Sequence, residues 1–205
     1  MVMQVDPRQD ALLIVDVQRD FCPGGALPVP EGDRVVPVVN RLLRLTTWLT
    51  VATRDWHPTN HCSFLAQGGI WPSHCVAESS GAAFHPGLTQ AALRHIVSKG
   101  TDPNAEAYSG FQGTGLACLL RQEGVHRVFV CGLATDYCVK ATVLDARKEG
   151  FEAVVIRDAI RGVEVQSGDA ASALAAMQAA GAELASSDEL TAGEGAGNSR
   201  KGRAR

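Results

Sequence analysis

The stretch Ala11-Leu-Leu-Ile-Val-Asp16 is a continuous apolar run that ends in an acidic residue. Because polar residues do not alternate with the apolar ones, the run predicts a strand buried on both faces of its sheet. A strand buried in this way needs other elements above and below the sheet. The run therefore favours an α/β architecture with a parallel sheet.

Further short apolar runs alternate with segments of helical period along the chain. Besides the first run, strands are predicted over residues 49–53, 95–98, 127–131, 153–156 and 182–185. Helices are predicted over residues 33–45, 116–123, 135–148 and 167–180. Crossovers of this spacing are right-handed and place their strands parallel in one sheet. We expect an α/β, doubly wound (Rossmann-like) fold: a mostly parallel six-stranded sheet with helices on both faces, in one domain over residues 8–187.

Composition and charge narrow the class of protein. The chain has 205 residues, of which 45% are hydrophobic and 20% charged, which suits one globular domain and excludes a disordered or collagen-like chain. It has no apolar run near the roughly 20 residues of a membrane-spanning helix. The net charge of −3 gives no electrostatic reason to expect nucleic acid as a partner. Residues 188–205 are rich in Gly and end in Arg and Lys, which predicts a flexible basic tail.

Six cysteines could form three disulfides in a secreted protein. The first residues show no basic flank followed by an apolar stretch, so no secretory signal is expected. We therefore predict a cytoplasmic protein with reduced thiols. Cys118 and Cys131 lie in apolar-periodic segments and are predicted to be packing residues.

Charged and nucleophilic residues follow the predicted strands. In open parallel sheets, ligands bind outside the carboxyl ends of the strands, which meet at one edge. That edge is predicted to carry Asp16, Asp55, Lys99, the loop that leads to Cys138, and Asp158.

Cys138 is the candidate nucleophile of this edge. It lies in a tight connection between a strand and a helix, where the helix dipole and free backbone N–H groups favour a thiolate. Asp16 could accept the thiol proton, and Lys99 would keep that carboxylate ionised. The alternatives are a small buried cysteine, an aspartate that caps a loop and a solvated lysine at a strand end.

Residues 56–86 form a long segment without a predicted element, and such segments are usually functional or disordered. In and just before this segment, a carboxylate and three imidazoles provide the ligand types of a metal site. They belong to Asp55, His57, His61 and His74. Exposed loop histidines are one alternative, and a structural site or disulfide built on Cys62 and Cys75 is another.

Five motifs together resemble the nicotinamidases (pyrazinamidases) of the isochorismatase-like cysteine hydrolase superfamily. They are Asp16-Val-Gln-Arg-Asp-Phe21, Asp55-Trp-His57-Pro-Thr-Asn-His61, Trp71-Pro-Ser-His74-Cys75, Lys99-Gly100 and Gly132-Leu-Ala-Thr-Asp-Tyr-Cys138. The resemblance covers nearly the whole predicted domain and implies the isochorismatase-like hydrolase fold. It also implies hydrolysis of nicotinamide to nicotinate and ammonia through a cysteine thioester.

The resemblance implies a role for each matching residue. Asp16, Lys99 and Cys138 would form the catalytic triad. Asp55, His57 and His74 would hold one divalent metal ion (zinc, manganese or iron). His61 would be a weaker ligand of the same ion.

The substrate pocket is also implied by the resemblance. Phe21, Trp71 and Tyr108 would line the site of the aromatic ring, together with Ala134. The backbone N–H groups of Ala134 and Cys138 would form the oxyanion hole, and the peptide bond from Ala134 to Thr135 would be cis. The superfamily further suggests a homo-oligomer, most often a dimer.

Two other functions remain open from the sequence. One is a different amide or ureido hydrolase of the superfamily, or an isochorismatase, none of which needs the metal site. The other is a non-catalytic domain that binds a metal or ligand.

Overall fold

This computed structural model describes residues 2–45 and 47–192. The tail predicted over residues 188–205 lies outside the described residues from residue 193 onward. The strands are β1 Met3–Val5, β2 Asp10–Val15, β3 Leu49–Asp55, β4 His95–Lys99, β5 Arg127–Leu133, β6 Glu152–Arg161, β7 Glu183–Ala185 and β8 Leu190–Ala192. The α-helices are α1 Val35–Leu43, α2 Leu116–Gln122, α3 Lys140–Lys148 and α4 Asp169–Ala179.

Six strands form the central sheet in the order β4-β3-β2-β5-β6-β7, and every neighbouring pair is parallel. The chain builds the sheet outward from β2 through β3 to β4, then returns to β5 and builds in the opposite direction. The order therefore reverses between β2 and β5, which is where doubly wound sheets bind their ligands. The predicted six-stranded parallel sheet is confirmed.

The two faces of the sheet bury different helices. Leu12 and Ile14 of β2 pack in the cluster that contains α1 residues. Leu13 and Val15, which point to the opposite face, pack with residues of α2, α3 and α4. Helices therefore cover both faces, as the continuous apolar run of β2 predicts.

A second, two-stranded sheet lies outside the predicted domain bounds. β1 pairs in parallel with β8, with Met3 opposite Leu190, and Leu190 is buried. The bounds 8–187 are therefore too narrow, and residues 188–192 do not belong to a flexible tail.

Other local predictions also differ from the structure. The helix predicted from residue 135 begins with a π-helical turn, Thr135–Val139, before α3. Cys131 is buried but Cys118 is exposed, so the packing role predicted for Cys118 is wrong. Leu116 and Leu120 face the core from α2, which leaves Cys118 between them on the outer side.

All six cysteines are free thiols, so a disulfide between Cys62 and Cys75 is excluded. Within residues 2–45 and 47–192, every helix is too short or too polar to span a membrane.

Candidate active site

The carboxyl edge of the sheet brings four functional side chains together. Asp16 directly follows β2, Asp55 and Lys99 end β3 and β4, and Cys138 lies in the turn after β5. All four are buried. Asp158 was expected at the same edge but lies within β6, where it accepts a hydrogen bond from the Ser187 N–H at 2.8 Å.

Lys99 lies at the centre of this arrangement. Its Nζ is 2.9 Å from Asp16 Oδ2, forms an ion pair with Asp55 Oδ1 and lies 3.4 Å from Cys138 Sγ. It also donates to the Ala107 carbonyl oxygen at 3.2 Å. One ammonium thus joins two carboxylates and the candidate nucleophile.

Burial and charge set the protonation of this cluster. Burial raises the pKa of Cys138 well above its ordinary value, because the nearby Lys99 does not offset the loss of water. A raised pKa favours the thiol form of Cys138, opposite to the effect expected from the helix N-terminus. Burial also raises the pKa of Asp16, opposed by Lys99, and a carboxylate with a raised pKa is a stronger base. Burial lowers the pKa of Lys99, but Asp16 and Asp55 outweigh it and keep the ammonium charged.

Asp55, His57 and His74, called the metal group below, lie beside this cluster. Each offers one ligand atom, and these three atoms lie within 4.8 Å of one another. Burial raises the pKa of Asp55, but Lys99 and His57 outweigh it and hold the pKa below its ordinary value. An ionised carboxylate with two imidazoles suits a divalent transition metal.

Both imidazoles of the metal group are oriented by backbone carbonyls. His57 Nδ1 donates to the Gly100 carbonyl oxygen at 2.9 Å, and His74 Nδ1 donates to that of Pro72 at 2.7 Å. Because a carbonyl only accepts, each Nδ1 carries a proton, and each Nε2 is the ring nitrogen that remains for a metal ion. This arrangement presents metal-ligating histidines in a fixed tautomer. The donor set and its orientation therefore fit a metal ion.

His61 lies next to the metal group but outside it. Its Nδ1 is 2.8 Å from Ser63 Oγ, and its Nε2 is 3.2 Å from the Ala105 carbonyl oxygen. Its ring centroid is 4.1 Å from that of His57. Both ring nitrogens are therefore engaged with protein groups. Among the described residues, neither Cys62 nor Cys75 takes part in a group of three metal donors.

A pocket opens onto these groups. Its wall includes the candidate nucleophile Cys138 and all three residues of the metal group. Every residue implied for the substrate site lines it: Phe21, Trp71, Tyr108 and Ala134. The pocket thus joins a thiol, a set of metal donors and an aromatic wall.

The aromatic wall is held by its own contacts. Trp71 Nε1 donates to Tyr108 Oη at 2.9 Å. The ring of Tyr137 meets that of Trp71 edge to face, with centroids 5.0 Å apart. The rings are therefore fixed against one another before a ligand binds.

One family model matches most of the chain. Residues 10–189 match the isochorismatase domain. The chain belongs to the isochorismatase family.

Proteins named as amide hydrolases are among those similar to this chain. A nicotinamidase from Escherichia coli (strain K12) is 45% identical over 201 residues, covering 85% of this chain and 93% of that protein. The crystal structure of PnC1 from L. infantum in complex with nicotinate superposes with a TM-score of 0.90 at 40% identity, covering 94% of this chain and 100% of that chain. The structure of the pyrazinamidase of Pyrococcus horikoshii in complex with zinc gives a TM-score of 0.81 at 52% identity, covering 87% of this chain and 99% of that chain.

One detail inferred from the family resemblance is wrong by a residue. The cis peptide bond joins Leu133 to Ala134, not Ala134 to Thr135. Neither bond involves proline, so the local sequence does not distinguish them.

Sequence reasoning missed two buried residues that hold the acids of this isochorismatase-family site. Thr53 Oγ1 donates to Asp16 Oδ1 at 2.7 Å. Gln18 Nε2 donates to the Asp55 carbonyl oxygen at 2.8 Å, and the Asp55 N–H donates to Gln18 Oε1 at 2.8 Å. A signal was present: Thr53 lies two positions before Asp55, on the same side of β3.

Pocket residues from other loops were missed as well. They are Leu27, Val29, Glu106, Ala107, Tyr137 and Val163. Of these residues, only Tyr137 lies within one of the five motifs, where two residues separate it from Ala134. The others come from loops whose meeting point depends on the folded chain.

Proposed function

We propose that this protein is a metal-dependent nicotinamidase, a cysteine hydrolase that converts nicotinamide to nicotinate and ammonia. The observation that carries the proposal is the single pocket lined by Cys138, the metal group and an aromatic wall. A pyridine ring suits such a wall, and a carboxamide suits a thiol nucleophile. The similarity to named nicotinamidases supports the same reaction.

The metal group and the thiol would fix the two ends of the substrate. A divalent ion bound by Asp55, His57 and His74 would supply a positive centre that attracts the ring nitrogen. The carboxamide carbon would then face Cys138 on the same pocket wall. Holding the reacting atoms in this geometry lowers the entropic part of the barrier.

The first half of the reaction forms a thioester. Asp16 accepts the thiol proton of Cys138 while Sγ attacks the carboxamide carbon. The backbone N–H groups of Ala134 and Cys138 would stabilise the resulting oxyanion, and one such donor is worth about 3 kcal/mol. The C–N bond then breaks, and Asp16 passes its proton to the departing ammonia.

The second half of the reaction cleaves the thioester with water. Asp16, again a carboxylate, accepts a proton from the attacking water. The C–S bond breaks, Asp16 passes that proton to Cys138 Sγ, and the acid formed loses its own proton to solvent and leaves as nicotinate. Lys99 keeps its charge because Asp55 remains an ionised partner while Asp16 carries the proton, and Lys99 holds Asp16 near the sulfur.

The direct test is ammonia release from nicotinamide by the purified protein supplied with zinc, manganese or iron. We expect release by the wild-type protein, loss in Cys138→Ala and full activity in Cys118→Ala, whose exposed thiol is a matched control. Absence of ammonia with every metal, or an active Cys138→Ala, would refute the proposal.

Three further parts of the proposal concern its setting. The bound ion is one of zinc, manganese or iron, the protein acts in the cytoplasm, and it forms a homo-oligomer, most simply a dimer. The zinc complex of the similar pyrazinamidase supports the first part. Metal analysis, fractionation and light scattering test the three in turn.

A further inference from the structure

A second group of potential metal donors adjoins the metal group. It consists of Asp16, Asp55 and Cys138, whose ligand atoms also lie within 4.8 Å of one another. We call it the second donor group. Asp55 belongs to both groups: its Oδ1 faces Lys99, and its Oδ2 is 3.5 Å from His57 Nε2.

This adjacency creates a chemical conflict. Cysteine sulfur is a strong ligand for zinc and other soft divalent ions, and two carboxylates beside it complete a suitable donor set. A sulfur that coordinates a metal ion no longer has the same electron pair available for attack on a carbon. An ion that moved from one group to the other would therefore block the candidate nucleophile.

Lys99 fills the second donor group in this structure. Its Nζ contacts all three members: 2.9 Å to Asp16, an ion pair with Asp55 and 3.4 Å to Cys138 Sγ. The Lys99 side chain has no exposed surface. The ammonium is thus held by the same three side chains that would hold a metal ion.

We propose that Lys99 is a built-in cation that occupies the second donor group and confines the divalent ion to Asp55, His57 and His74. Two buried carboxylates require a positive charge near them, and Lys99 supplies it from within the chain. Its charge also repels a second cation. This role rests on the proposed metal group and not on hydrolysis of nicotinamide.

The first experiment compares the wild-type protein with Cys138→Ser. Metal-free samples of both are titrated with Co²⁺ and followed by absorbance, because a cobalt–thiolate bond gives a charge-transfer band in the near ultraviolet. We expect one bound equivalent, no such band and the same spectrum in both proteins. A band in the wild-type protein that disappears in Cys138→Ser would overturn the proposal.

The second experiment removes the built-in cation. Lys99→Met should bind a second equivalent of Co²⁺ and gain the thiolate band, and the double variant Lys99→Met/Cys138→Ser should lose that band. Lys148→Met, which changes an exposed lysine, should bind one equivalent as the wild-type protein does. A Lys99→Met protein that binds one equivalent without the band would also overturn the proposal.

The two experiments separate this role from the proposed function. No step of either titration involves nicotinamide, so a protein without nicotinamidase activity still gives a result. Should Lys99→Met fail to fold without metal, the comparison of wild type with Cys138→Ser can still overturn the proposal.

Discussion

Asp55 and Lys99 are register partners on the neighbouring parallel strands β3 and β4, and their side chains form a buried ion pair. The ladder places the last residues of both strands side by side. Asp16, at the end of β2 on the other side of β3, brings a second carboxylate to the same ammonium at 2.9 Å. The sheet itself therefore assembles the charged part of the site.

This ion pair predicts a large loss of stability when Lys99 is removed. Lys99→Met leaves two buried carboxylates without a counter-charge, and breaking a buried pair in this way costs about 3–5 kcal/mol. Urea denaturation of the metal-free protein measures the loss. The exposed Lys148→Met should change the free energy of unfolding by less than about 0.5 kcal/mol. Equal effects of the two substitutions would contradict the prediction.

The substitution Asp16→Asn tests the role of Asp16 as the general base that accepts the Cys138 thiol proton. An amide keeps the size of the side chain but cannot accept the thiol proton, and loss of a general base costs about 10²–10⁴-fold in kcat. We expect that fall in steady-state ammonia release, with KM for nicotinamide changed much less because Asp16 does not line the pocket wall. Asp188→Asn, at a carboxylate that is 81% exposed, should keep the wild-type kcat. An Asp16→Asn protein that keeps the wild-type kcat would show that another residue is the base.

The raised pKa of Cys138 predicts the pH dependence of its alkylation. Burial disfavours the charged thiolate, so in metal-free protein Cys138 stays a thiol at pH 7 and becomes a thiolate only above the ordinary cysteine pKa. Its reaction with iodoacetamide, followed by peptide mass spectrometry, should therefore be slow at pH 7 and still rise between pH 8 and 10. A rate that is already constant from pH 6 to 8 would show a low pKa and contradict this.

The positions of the strand ends could be predicted from the sequence, whereas the protonation states of the side chains at those ends could not. An apolar run such as residues 11–15 is a strong signal, because burial on both faces excludes polar residues, and the residue after it is then easily located. Whether Cys138 is a thiol or a thiolate depends on how burial compares with the charge of Lys99. That comparison needs distances, which appear only once strands far apart in sequence are packed.

The sequence also could not predict which loops line the pocket, because these loops meet only in the folded chain. Val163 lines the pocket although it follows β6, and no motif links it to Cys138. In contrast, Phe21 and Trp71 were placed in the pocket through the resemblance to a family. The sequence alone offered no physical reason to bring those two rings together.

Gly100→Ala should weaken metal binding. Gly100 has φ +61°, and a Cβ there would lie 2.4 Å from His57 Cε1 and 2.6 Å from its Nδ1. The ring must move, which disturbs its hydrogen bond to the Gly100 carbonyl, and loss of such an outer contact costs about 10–100-fold in metal affinity.

Gly113→Ala is the matched control for this substitution. Gly113 also has a positive φ, +68°, but a Cβ there meets nothing within 4 Å. Both variants should lose similar stability from backbone strain, since an alanine is disfavoured at positive φ. Only Gly100→Ala should bind metal more weakly in a titration against a coloured chelator. Equal affinities in the two variants would show that the His57 ring does not depend on this contact.

Asp136→Asn should loosen the pocket wall without touching the nucleophile. The Asp136 carboxylate accepts hydrogen bonds from the backbone N–H groups of Val163 and Glu164, each at 2.9 Å. It thereby ties the segment that carries Val163 to the turn that carries Cys138. An asparagine has one acceptor oxygen, so its NH₂ group must face one of the two N–H groups, and that contact is lost.

We expect KM for nicotinamide to rise about tenfold in Asp136→Asn, because one lost hydrogen bond to a charged group is worth about 1.5–3 kcal/mol and part of that loss falls on the pocket. The kcat should change less, since Asp16, Lys99 and Cys138 keep their contacts. Asp169→Asn is the control: its carboxylate also accepts from a backbone N–H, that of Gln166 at 2.8 Å, but it does not line the pocket. If both substitutions raise KM equally, the wall is not held by Asp136; if Asp136→Asn lowers kcat and leaves KM unchanged, the turn and not the wall depends on it.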